Sequence, residues 1–500
     1  MLKIDNLTIT TYKGRTLLKD FSFVLNDNDK IALIGEEGNG KSTIIKIMAG
    51  IDVSDYVTYT GSIICNERIG YLPQVIEEDL LNCNILEYIT NNDIDYTKLY
   101  SIIGLLKIDN ELIEQNHLIK TLSGGEKVKV SLARVLYQEP DILLLDEPTN
   151  DLDLKTLIWL EEFIKAETRP IIFISHDESL LENCSNGILH LEQLKRKTES
   201  RITYSGLNYK DYAKDRLHFI ERNNALAAKE KQELHKQLEK YRQVYQKVEH
   251  AQNTVSRQDP HTAALLKKKM HAVKALGRNL EIKENNLTKK FEPEEAINIF
   301  FEDININPNK VIIDYKLDVL KIDDKTLCKD IELTVLGKDK VCIIGDNGTG
   351  KTTLVKVIYN ELRNRDDIKL GYMPQNYNEV MDYNLTPIEF LTKTNITRSI
   401  AQTYLGSLKF TTEEMSHKIS DLSQGQKCKI LIIRMILDKC NVLLMDEPTR
   451  NLSPLSNPRL REILINYKGS IISISHDRKY IDEVCNKIYQ IEDNKLSLLQ

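Results

Sequence analysis

Short runs of consecutive apolar residues alternate along the chain with segments whose apolar residues recur at helical spacing. Lys30–Ile34 (KIALI), Ile142–Leu145 and Ile171–Ile174 are such runs, typical of strands buried on both faces of a sheet. A helical segment with apolar residues across Ile44–Met48 follows the first run after a glycine-rich loop. Strands alternating with helices predict an α/β fold with a mostly parallel sheet, whose ligands bind outside the carboxyl ends of the strands. The polar residues that follow each run are therefore candidates for chemistry.

A set of short motifs occurs twice in the same order. The pairs are GEEGNGKST from Gly35 and GDNGTGKTT from Gly345, YLPQ and YMPQ ending at Gln74 and Gln375, LSGGE and LSQGQ with Ser123 and Ser423, LLLDEPT and LLMDEPT with Glu147 and Glu447, and ISHD with His176 and His476. The last three pairs are each offset by 300 residues. A motif order kept twice predicts two copies of one domain, at residues 1–200 and 297–500, joined by a linker at 201–296.

The linker carries a helical apolar pattern. Apolar residues recur at steps of three and four from Leu234 to Val248, and a second stripe runs from Leu266 to Leu280. The segment between the stripes, 251–264, contains Pro260. The pattern predicts an antiparallel helical hairpin with its tip at 251–264, and a first helix over about 206–250 would span roughly 65 Å.

Charge is distributed unevenly along the chain. Residues 201–290 contain 20 Lys and Arg against 10 Asp and Glu, a net charge of +10, so the other residues together carry −16. A basic stretch of this kind is typical of nucleic-acid contact, and a solvated basic spacer is the alternative. The candidate RNA-binding residues are Lys267, Lys268, Lys269 and Arg257.

Composition excludes several classes of protein. The chain contains no run of eighteen apolar residues, which argues against a membrane span, and its N-terminus lacks the basic flank and apolar stretch of a secretory signal. Eight scattered cysteines without a CxxC pair indicate a reducing compartment and argue against zinc. These features predict a cytoplasmic protein without a membrane partner.

Both glycine-rich loops match the phosphate-binding P-loop pattern, Gly-x4-Gly-Lys-Ser/Thr, after a strand and before a helix. Glycines let backbone N–H groups turn toward phosphate oxygens at a helix N-terminus. The lysine is expected to reach the β- and γ-phosphates of ATP, and the following hydroxyl to ligate Mg²⁺. The predicted ATP-binding residues of the two loops are Gly35, Gly38, Gly40, Lys41, Ser42, Thr43, Gly345, Gly348, Gly350, Lys351, Thr352 and Thr353, with Ser42 and Thr352 as metal ligands.

An Asp-Glu pair follows the second apolar run in each copy, and a histidine follows the third. The aspartate suits the coordination shell of Mg²⁺, and the glutamate suits a base that polarises the attacking water. The histidine could orient the γ-phosphate and the water, with a structural role as the alternative. The predicted catalytic residues are Glu147, Glu447, His176 and His476, and the predicted metal ligands here are Asp146 and Asp446.

Together these motifs resemble the ATP-binding cassette (ABC) ATPases in both copies. In that family the LSGGE segment of one domain completes the ATP site on the P-loop of the other. The resemblance therefore implies two composite sites: site one, which would join Lys41, Glu147 and His176 to Ser423–Gln426, and site two, which would join Lys351, Glu447 and His476 to Ser123–Glu126. The further residues that it implies at ATP are Tyr12 as an adenine stack, Gln74 and Gln375, which would also ligate Mg²⁺, and Ser123, Gly124, Gly125, Ser423, Gln424 and Gly425.

The two copies differ at positions of the expected sites. Gln424 stands where the first copy has glycine, and Ser453 stands where it has Asp153. The position matching Tyr12 is Ile322, which weakens the expectation of adenine stacking there; for Tyr12 itself, an ordinary tyrosine at a strand end is the alternative. A side chain at position 424 should crowd or reshape site one, and neutral drift is the alternative.

Two cassettes in one chain, joined by a charged helical linker, resemble the ABC-F subfamily. Its members act on ribosomes, where the linker enters near the peptidyl-tRNA and the peptidyl-transferase centre. The spacing from Gln74 to Ser123 is 49 residues and the equivalent spacing in the second copy is 48, too short for the extra arm of housekeeping members. With LSQGQ and TRNLSPLSNP, this resembles the Gram-positive antibiotic-resistance members that protect ribosomes.

The expected function is therefore that of an ATPase, using ATP and Mg²⁺, that binds rRNA and peptidyl-tRNA on the ribosome and displaces an antibiotic. The two cassettes are expected to pair within one monomer. The alternatives are a housekeeping translation factor that relieves stalled ribosomes, the tandem ATPase subunit of an importer, and a DNA-repair ATPase. The basic linker and the TNDLD sequence disfavour the importer.

Overall fold

The computed structural model describes residues 1–115, 117–254, 260–291, 293, 299, 301, 304, 306–322, 325–393 and 396–499. The elements of the first copy are β1 (Leu2–Thr11), β2 (Thr16–Leu25), β3 (Lys30–Ile34), α1 (Lys41–Met48), β4 (Val57–Cys65), β5 (Ile69–Leu72), α2 (Ile85–Thr90), α3 (Tyr96–Leu106), α4 (Asn110–Glu114), α5 (Gly124–Tyr137), β6 (Ile142–Asp146), α6 (Leu154–Ala166), β7 (Ile171–Ile174), α7 (Glu178–Cys184), β8 (Gly187–Gln193), α8 (Leu194–Lys197) and β9 (Glu199–Ser205). Short 3-10 helices lie at Glu78–Asn82 and Ile119–Thr121.

The central sheet of the first copy has six strands in the order β5-β6-β7-β3-β8-β9, and the first five are parallel. The predicted apolar runs form β3, β6 and β7, and every residue of β6 and β7 is buried. Because these three strands are parallel neighbours, their carboxyl ends bring Gly35, Glu147 and His176 to one edge of the sheet.

A separate antiparallel sheet, with the order β2-β1-β4, was not predicted from the sequence. Leu2, Ile4, Leu7 and Ile9 of β1 are fully buried, but the alternation is interrupted between Ile4 and Leu7. Asn6, with φ of 50°, lies in this register shift. A bulge of this kind moves the next apolar residue back to the buried face and obscures a strict period of two.

The elements of the second copy follow the same order, except that its described residues form no counterpart of β4 or α8. They are β10 (Val311–Ile322), β11 (Lys325–Leu336), β12 (Lys340–Gly345), α11 (Lys351–Leu362), β13 (Leu370–Met373), α12 (Pro387–Thr392), α13 (Arg398–Ser407), α14 (Thr412–Ser416), α15 (Gln424–Leu437), β14 (Val442–Asp446), α16 (Asn457–Ile465), β15 (Ser470–Ile474), α17 (Arg478–Val484), β16 (Lys487–Glu492) and β17 (Lys495–Leu498), with 3-10 helices at Tyr377–Glu379 and Ile419–Asp421, and the linker helices between the copies are α9 (Tyr209–Thr254) and α10 (Pro260–Asn285). Its sheet has the order β10-β11-β17-β16-β12-β15-β14-β13.

The chain divides into two compact units, Met1–Tyr212 with Glu294–Gln500, and Ala213–Pro293. The first unit contains both copies. β9 pairs with β8 and continues past residue 200, where the first domain was predicted to end. The domain limits at 200 and 297 stay predictions.

The second unit is a pair of antiparallel helices. Gln237 accepts a hydrogen bond from Lys283, and Glu230 accepts one from the backbone N–H of Thr288, so residue numbers fall along one helix as they rise along the other. The predicted apolar stripes form the seam, with Leu234, Met270, Val273 and Leu280 buried. α9 has 46 residues, which corresponds to about 70 Å at 1.5 Å per residue. The predicted α/β fold of two copies joined by a helical hairpin is confirmed.

Over the described part of the chain, none of the helices combines the length and the apolar character needed to cross a membrane.

Candidate functional site

Each P-loop lies between a central strand and a helix, β3 and α1 in the first copy and β12 and α11 in the second. Gly35 and Gly40 have φ of 148° and 99°, in the region that favours glycine. A Cβ atom at Gly35 would lie 2.2 Å from the carbonyl oxygen of Leu191, so no side chain fits there. The second loop repeats this backbone with positive φ at Gly345, Gly348 and Gly350. The glycines thus turn each loop around a helix N-terminus, where backbone N–H groups bind phosphate.

Each P-loop lysine donates hydrogen bonds to carbonyl oxygens of its own loop. Lys41 Nζ donates to the carbonyl oxygens of Gly35 and Glu36 at 2.9 and 3.2 Å. Lys351 makes the two equivalent hydrogen bonds at 2.7 and 2.8 Å. An ammonium group has three donors, so each lysine retains capacity for a phosphate oxygen.

Two hydroxyl-carboxylate pairs fit a Mg²⁺ ion. Ser42 Oγ donates to Asp146 Oδ1 and Thr352 Oγ1 to Asp446 Oδ2, both at 2.9 Å. Burial raises the pKa of both carboxyl groups. Mg²⁺ prefers oxygen ligands and is bound by one or two carboxylates together with substrate phosphates, so a cation here would offset the burial of the carboxylates. When bound, Mg²⁺ would neutralise charge on the β- and γ-phosphates.

Site one is a cavity of about 530 Å³. The predicted residues that line it are Gly38, Gly40, Lys41, Ser42, Thr43, Gln74, Glu147, His176 and Gln424. The lining residues that sequence reasoning missed are Thr11, Arg15, Leu17, Glu37, Asn150, Arg450 and Asn451. Since Gln424, Arg450 and Asn451 belong to the second copy, the cavity is shared between the copies.

Tyr12 lies beside this cavity without lining it. Its side chain is 64% exposed, and its hydroxyl donates to the carbonyl oxygen of Ser54. Arg15 and Leu17, which follow Tyr12 closely in the chain, line the cavity instead. The adenine-stacking role of Tyr12 stays a prediction, as does the metal-ligand role of Gln74 and Gln375.

Glu147 is surrounded by donors. Oε2 accepts from Gln74 Nε2 and from Asn150 Nδ2, both at 2.8 Å, and Oε1 lies 3.2 Å from His176 Nε2. Burial opposes ionisation of the carboxyl group, but hydrogen bonding and the charges of His176 and Lys41 outweigh it and lower the pKa of Glu147 to about 2. The backbone is in the left-handed region, with φ of 49°, a strained conformation that is common at active sites. Glu147 is therefore an ionised acceptor directed into the cavity.

His176 connects the two copies. Its Nδ1 donates to the carbonyl oxygen of Leu452, in the loop after DEPT of the second copy, at 2.7 Å. A carbonyl can only accept, so Nδ1 carries a hydrogen in this contact, and the ring is oriented with Nε2 toward Glu147. This contact fixes the position of the histidine relative to the base.

Site two is a cavity of about 410 Å³. The predicted residues that line it are Gly348, Gly350, Lys351, Thr352, Thr353, Gln375, Asp446, Glu447 and His476, together with His176 of the first copy. The first copy contributes Asn150, Asp151 and Leu152 from the loop after DEPT. Ser123, Gly124 and Gly125 are not among the lining residues, so it is this loop, rather than the LSGGE segment, that closes the described cavity.

Glu447 is held less firmly than Glu147. Its Oε2 accepts from the backbone N–H of His476 at 3.3 Å, and its Oε1 has no hydrogen-bond partner among the described residues. Burial, with the charge of Asp446, raises the pKa of Glu447 to about 8, and burial lowers the pKa of His476 to about 4. Arg450 takes the place of the asparagine that binds Glu147. The pKa values of the two candidate bases are therefore shifted in opposite directions.

The LSGGE and LSQGQ segments both begin a helix. Ser123 caps α5 and Ser423 caps α15, each in a capping box with the residue three positions later. A Cβ atom at Gly124 would lie 2.4 Å from the carbonyl oxygen of Asp151, whereas the second copy carries Gln424 at this position. The loop after DEPT is therefore placed differently against the two helices.

Two charged residues that sequence reasoning missed make contacts between the copies. Arg450 lines both cavities and pairs with Asp151 at 2.8 Å. Glu36 reaches the second copy, where Lys429 and two serines bind it. Comparing the copies position by position would have drawn attention to Arg450, since the first copy has Asn150 there. Glu36 occupies one of the unspecified positions of the P-loop pattern, so the sequence does not indicate that it contacts the other copy.

The RNA-binding candidates lie in the second unit. Lys267, Lys268 and Lys269 are exposed on α10. Arg257 lies outside the described residues. These roles stay predictions.

Known proteins match the chain over both copies. The family model described as "ABC transporter" matches residues 18–150 and 328–450. The ATP-binding protein Uup of Buchnera aphidicola subsp. Acyrthosiphon pisum is 30% identical over 99% of this chain and 81% of that protein, and the ribosome protection protein VmlR of Bacillus subtilis is 29% identical over 99% and 88%. ABC transporter F family member 2 of Arabidopsis thaliana is 27% identical over 99% and 77%. The chain belongs to the ABC-F family of ATP-binding cassette ATPases.

A solved structure supports the same fold for this ABC-F ATPase. The archaeal ribosome recycling factor aABCE1, in its complex with the stalk protein aP1, superposes with a TM-score of 0.62 over 98% of this chain and 89% of that one, at 16% identity. At this identity the likeness concerns the fold alone. The enzyme class predicted from the sequence, an ATPase, is confirmed by the family.

Proposed function

We propose that this ABC-F ATPase is a cytoplasmic, ribosome-associated protein that protects the ribosome from antibiotics of the peptidyl-transferase centre. The observation that carries the proposal is the hairpin of α9 and α10, a long basic element in a chain whose remaining mass is two ATPase copies. Residues 201–290 carry a net charge of +10, while the rest of the chain is acidic. RNA is the polyanion that such an element fits, since phosphate contact by Lys and Arg provides most nonspecific affinity.

The length of the hairpin supports a role in which its tip contacts RNA far from the ATPase copies. α9 extends for about 70 Å, far more than is needed to connect two adjacent copies. Leu234, Met270, Val273 and Leu280 are buried in the seam of the hairpin, and Lys267–Lys269 are exposed. An element with its own seam and a basic exposed surface is suited to insertion beside RNA.

ATP would control this insertion through the two composite sites. Each P-loop holds the phosphates on one copy, and residues of the other copy complete the cavity. ATP binding would draw the copies together, and hydrolysis would separate them and release the ribosome. Glu147 and Glu447 would polarise the attacking water, while His176 and His476 orient it.

The names of relatives support the proposal only in part. VmlR is named a ribosome protection protein, whereas Uup is named only as an ATP-binding protein. VmlR and Uup are 29% and 30% identical to this chain, so sequence identity does not decide between ribosome-protection proteins and other members of the family. A housekeeping translation factor that relieves stalled ribosomes is therefore the second candidate, and the ATPase subunit of an importer is the third.

Growth under peptidyl-transferase inhibitors tests the proposal. A susceptible bacterium expressing the chain should tolerate at least one such drug, in a panel, better than the same strain with an empty vector. A variant in which residues 251–264 are replaced by a short Gly/Ser turn, expressed at the same level, should hydrolyse ATP and give no protection. Protection by the tip-replaced variant would contradict the linker mechanism. Absence of protection against every drug, with ribosome binding retained, would favour the housekeeping factor, and recovery with membranes would favour the importer.

A further inference from the structure

Glu36, the second residue of the first P-loop, packs against the second copy with little of its side chain exposed. Its Oε2 accepts from Lys429 Nζ at 2.8 Å. Its Oε1 accepts from Ser453 Oγ at 2.6 Å and from Ser456 Oγ at 2.5 Å. The Glu36 side chain is 12% exposed and that of Lys429 is 9% exposed. The two glutamate oxygens therefore bind one cation and two hydroxyl groups, all from the other copy.

The electrostatics of this contact favour the ionised carboxylate strongly. Burial alone would disfavour the charge of Glu36, but the Lys429 ammonium and the two serine hydroxyls outweigh burial and hold the pKa of Glu36 at about 2. Removing one member of a buried and hydrogen-bonded pair leaves the other charge uncompensated, which makes such pairs costly to separate.

Among the described residues, site two has no equivalent of this contact. The counterpart of Glu36 is Asp346, which pairs with Lys155 at 3.0 Å, and both side chains are more than half exposed. Exposed ion pairs contribute little to stability because water and salt screen them. The lysine matching Lys429 is Lys129, which instead donates to the carbonyl oxygen of Lys107.

The substitution at Ser453 has a physical reason in this arrangement. The first copy carries Asp153 at the equivalent position, where the carboxylate caps α6 by accepting from the N–H of Thr156. A carboxylate at position 453 would face Glu36 with like charge. A serine supplies an O–H donor to Glu36 instead, so the glutamate of one copy and the serine of the other match in chemistry.

Neighbouring residues cross the interface at both sites. Glu37 accepts from the backbone N–H of Gly425 at the start of α15, and its counterpart Asn347 donates to the carbonyl oxygen of Asp151 at 2.5 Å. The loops therefore approach the opposite copy in both sites, and the buried charge of Glu36 is what distinguishes site one.

We infer that Glu36 is a positioning residue for ATP at site one, which fastens the first P-loop to Lys429, Ser453 and Ser456 of the second copy. An ATP molecule bound between the two copies is released when the copies separate. At site one this separation must break the buried contact of Glu36, whereas the matching P-loop residue of site two, Asp346, gives up only an exposed pair. Site one therefore releases ATP more slowly than site two. The inference rests on the composite sites and not on the ribosome.

The test measures ATP release from the full chain without ribosomes. In the Glu147→Gln/Glu447→Gln background, which binds ATP without rapid turnover, labelled ATP is chased with excess unlabelled ATP. The parent should show a slow and a fast phase of release. Adding Glu36→Gln should accelerate the slow phase about tenfold and leave the fast phase within about twofold, as expected for the loss of one buried charge-assisted contact. The matched control Asp346→Asn should leave the slow phase unchanged.

Ser453→Ala provides a second variant in case Glu36→Gln fails to fold. It removes one hydroxyl donor and leaves the P-loop intact, so the slow phase should accelerate by a smaller factor. A merely structural role would change both phases together and would not accelerate one phase selectively. A single phase in the parent, equal acceleration by Glu36→Gln and Asp346→Asn, or an unchanged slow phase in Ser453→Ala would overturn the inference.

Discussion

The Nε2 atom of His176 lies 3.2 Å from Oε1 of Glu147, and Nδ1 of the same ring donates to the carbonyl oxygen of Leu452 across the interface between the copies. The equivalent ring, His476, is 3.8 Å from Glu447, and its Nδ1 has no hydrogen-bond partner in the part of the chain that the structure describes. The base and the histidine are thus pre-organised in site one and looser in site two.

This difference predicts unequal effects of the two glutamates on turnover. Glu147→Gln should lower kcat for ATP by at least about tenfold, because general-base catalysis typically contributes 10² to 10⁴-fold and an amide cannot accept the proton of the water. Glu447→Gln should lower kcat by a smaller factor. Steady-state phosphate release from the two single variants provides the measurement, and indistinguishable rates would make the asymmetry of the two sites irrelevant to turnover.

The arrangement of the catalytic edge could be predicted from sequence because it depends on local rules. Strands such as Ile142–Asp146 are apolar throughout, since both faces are buried, and in parallel neighbours the residues that follow them meet at one edge. The long hairpin was predicted for the same reason, from its helical stripe.

The contacts between the copies could not be predicted in this way. Glu36 and Ser453 are separated by 417 residues along the chain, and neither has a local pattern that indicates its partner. Ser453 was noted as a difference from the first copy, but its reason is visible only once Glu36 is beside it. The β2-β1-β4 sheet was missed because the bulge at Asn6 breaks its alternation.

The Glu36 contact predicts a pH-dependent contribution to stability. The pKa of Glu36 is lowered to about 2 from its ordinary value of 4.5, so the contribution is fully present above pH 4.5 and is lost as pH falls toward 2. Glu36→Gln should lower the free energy of unfolding by about 3 kcal/mol at pH 6, since one pKa unit corresponds to about 1.4 kcal/mol. The difference from wild type should shrink below pH 4.5.

Thermal unfolding of wild type and Glu36→Gln from pH 6 to pH 3.5 provides this measurement. A difference in unfolding temperature that stays constant across the range would show that the charge of Glu36 does not stabilise the fold.

The lack of space at Gly124 predicts that the LSGGE and LSQGQ segments differ in their tolerance of substitution. Gly124→Ala should lower the free energy of unfolding by about 1–3 kcal/mol, because its Cβ would lie 2.4 Å from the carbonyl oxygen of Asp151 and the loop must shift. The shift should also raise KM for ATP, since that loop lines site two. Gln424→Ala, the matched change in the second copy, adds no Cβ and should be tolerated. Chemical denaturation and ATPase assays of both variants test the contrast, and equal stability of the two would contradict it.

The exposed lysines of α10 predict a salt-dependent interaction. Neutralising Lys267, Lys268 and Lys269 to Gln should weaken ribosome binding and reduce the slope of log affinity against log salt by about 2–3, because fewer counterions are released from RNA phosphate. ATP hydrolysis without ribosomes should be retained. The control neutralises Lys231, Lys236 and Lys240, which are exposed on α9 and change the net charge by the same amount. An unchanged slope for the first variant, or equal slopes for both, would contradict RNA binding by these lysines and favour the alternative that α10 is a solvated basic spacer.

Sedimentation with ribosomes tests the central claim most directly. The Glu147→Gln/Glu447→Gln variant is mixed with purified bacterial ribosomes and centrifuged through a sucrose gradient with or without ATP and Mg²⁺. Because this variant binds ATP and cannot complete the hydrolysis that releases it, it should migrate with the ribosomes when ATP is present and stay at the top of the gradient when ATP is omitted. A variant that remains at the top under both conditions would contradict the account of this chain as an ATP-controlled ribosome-binding protein.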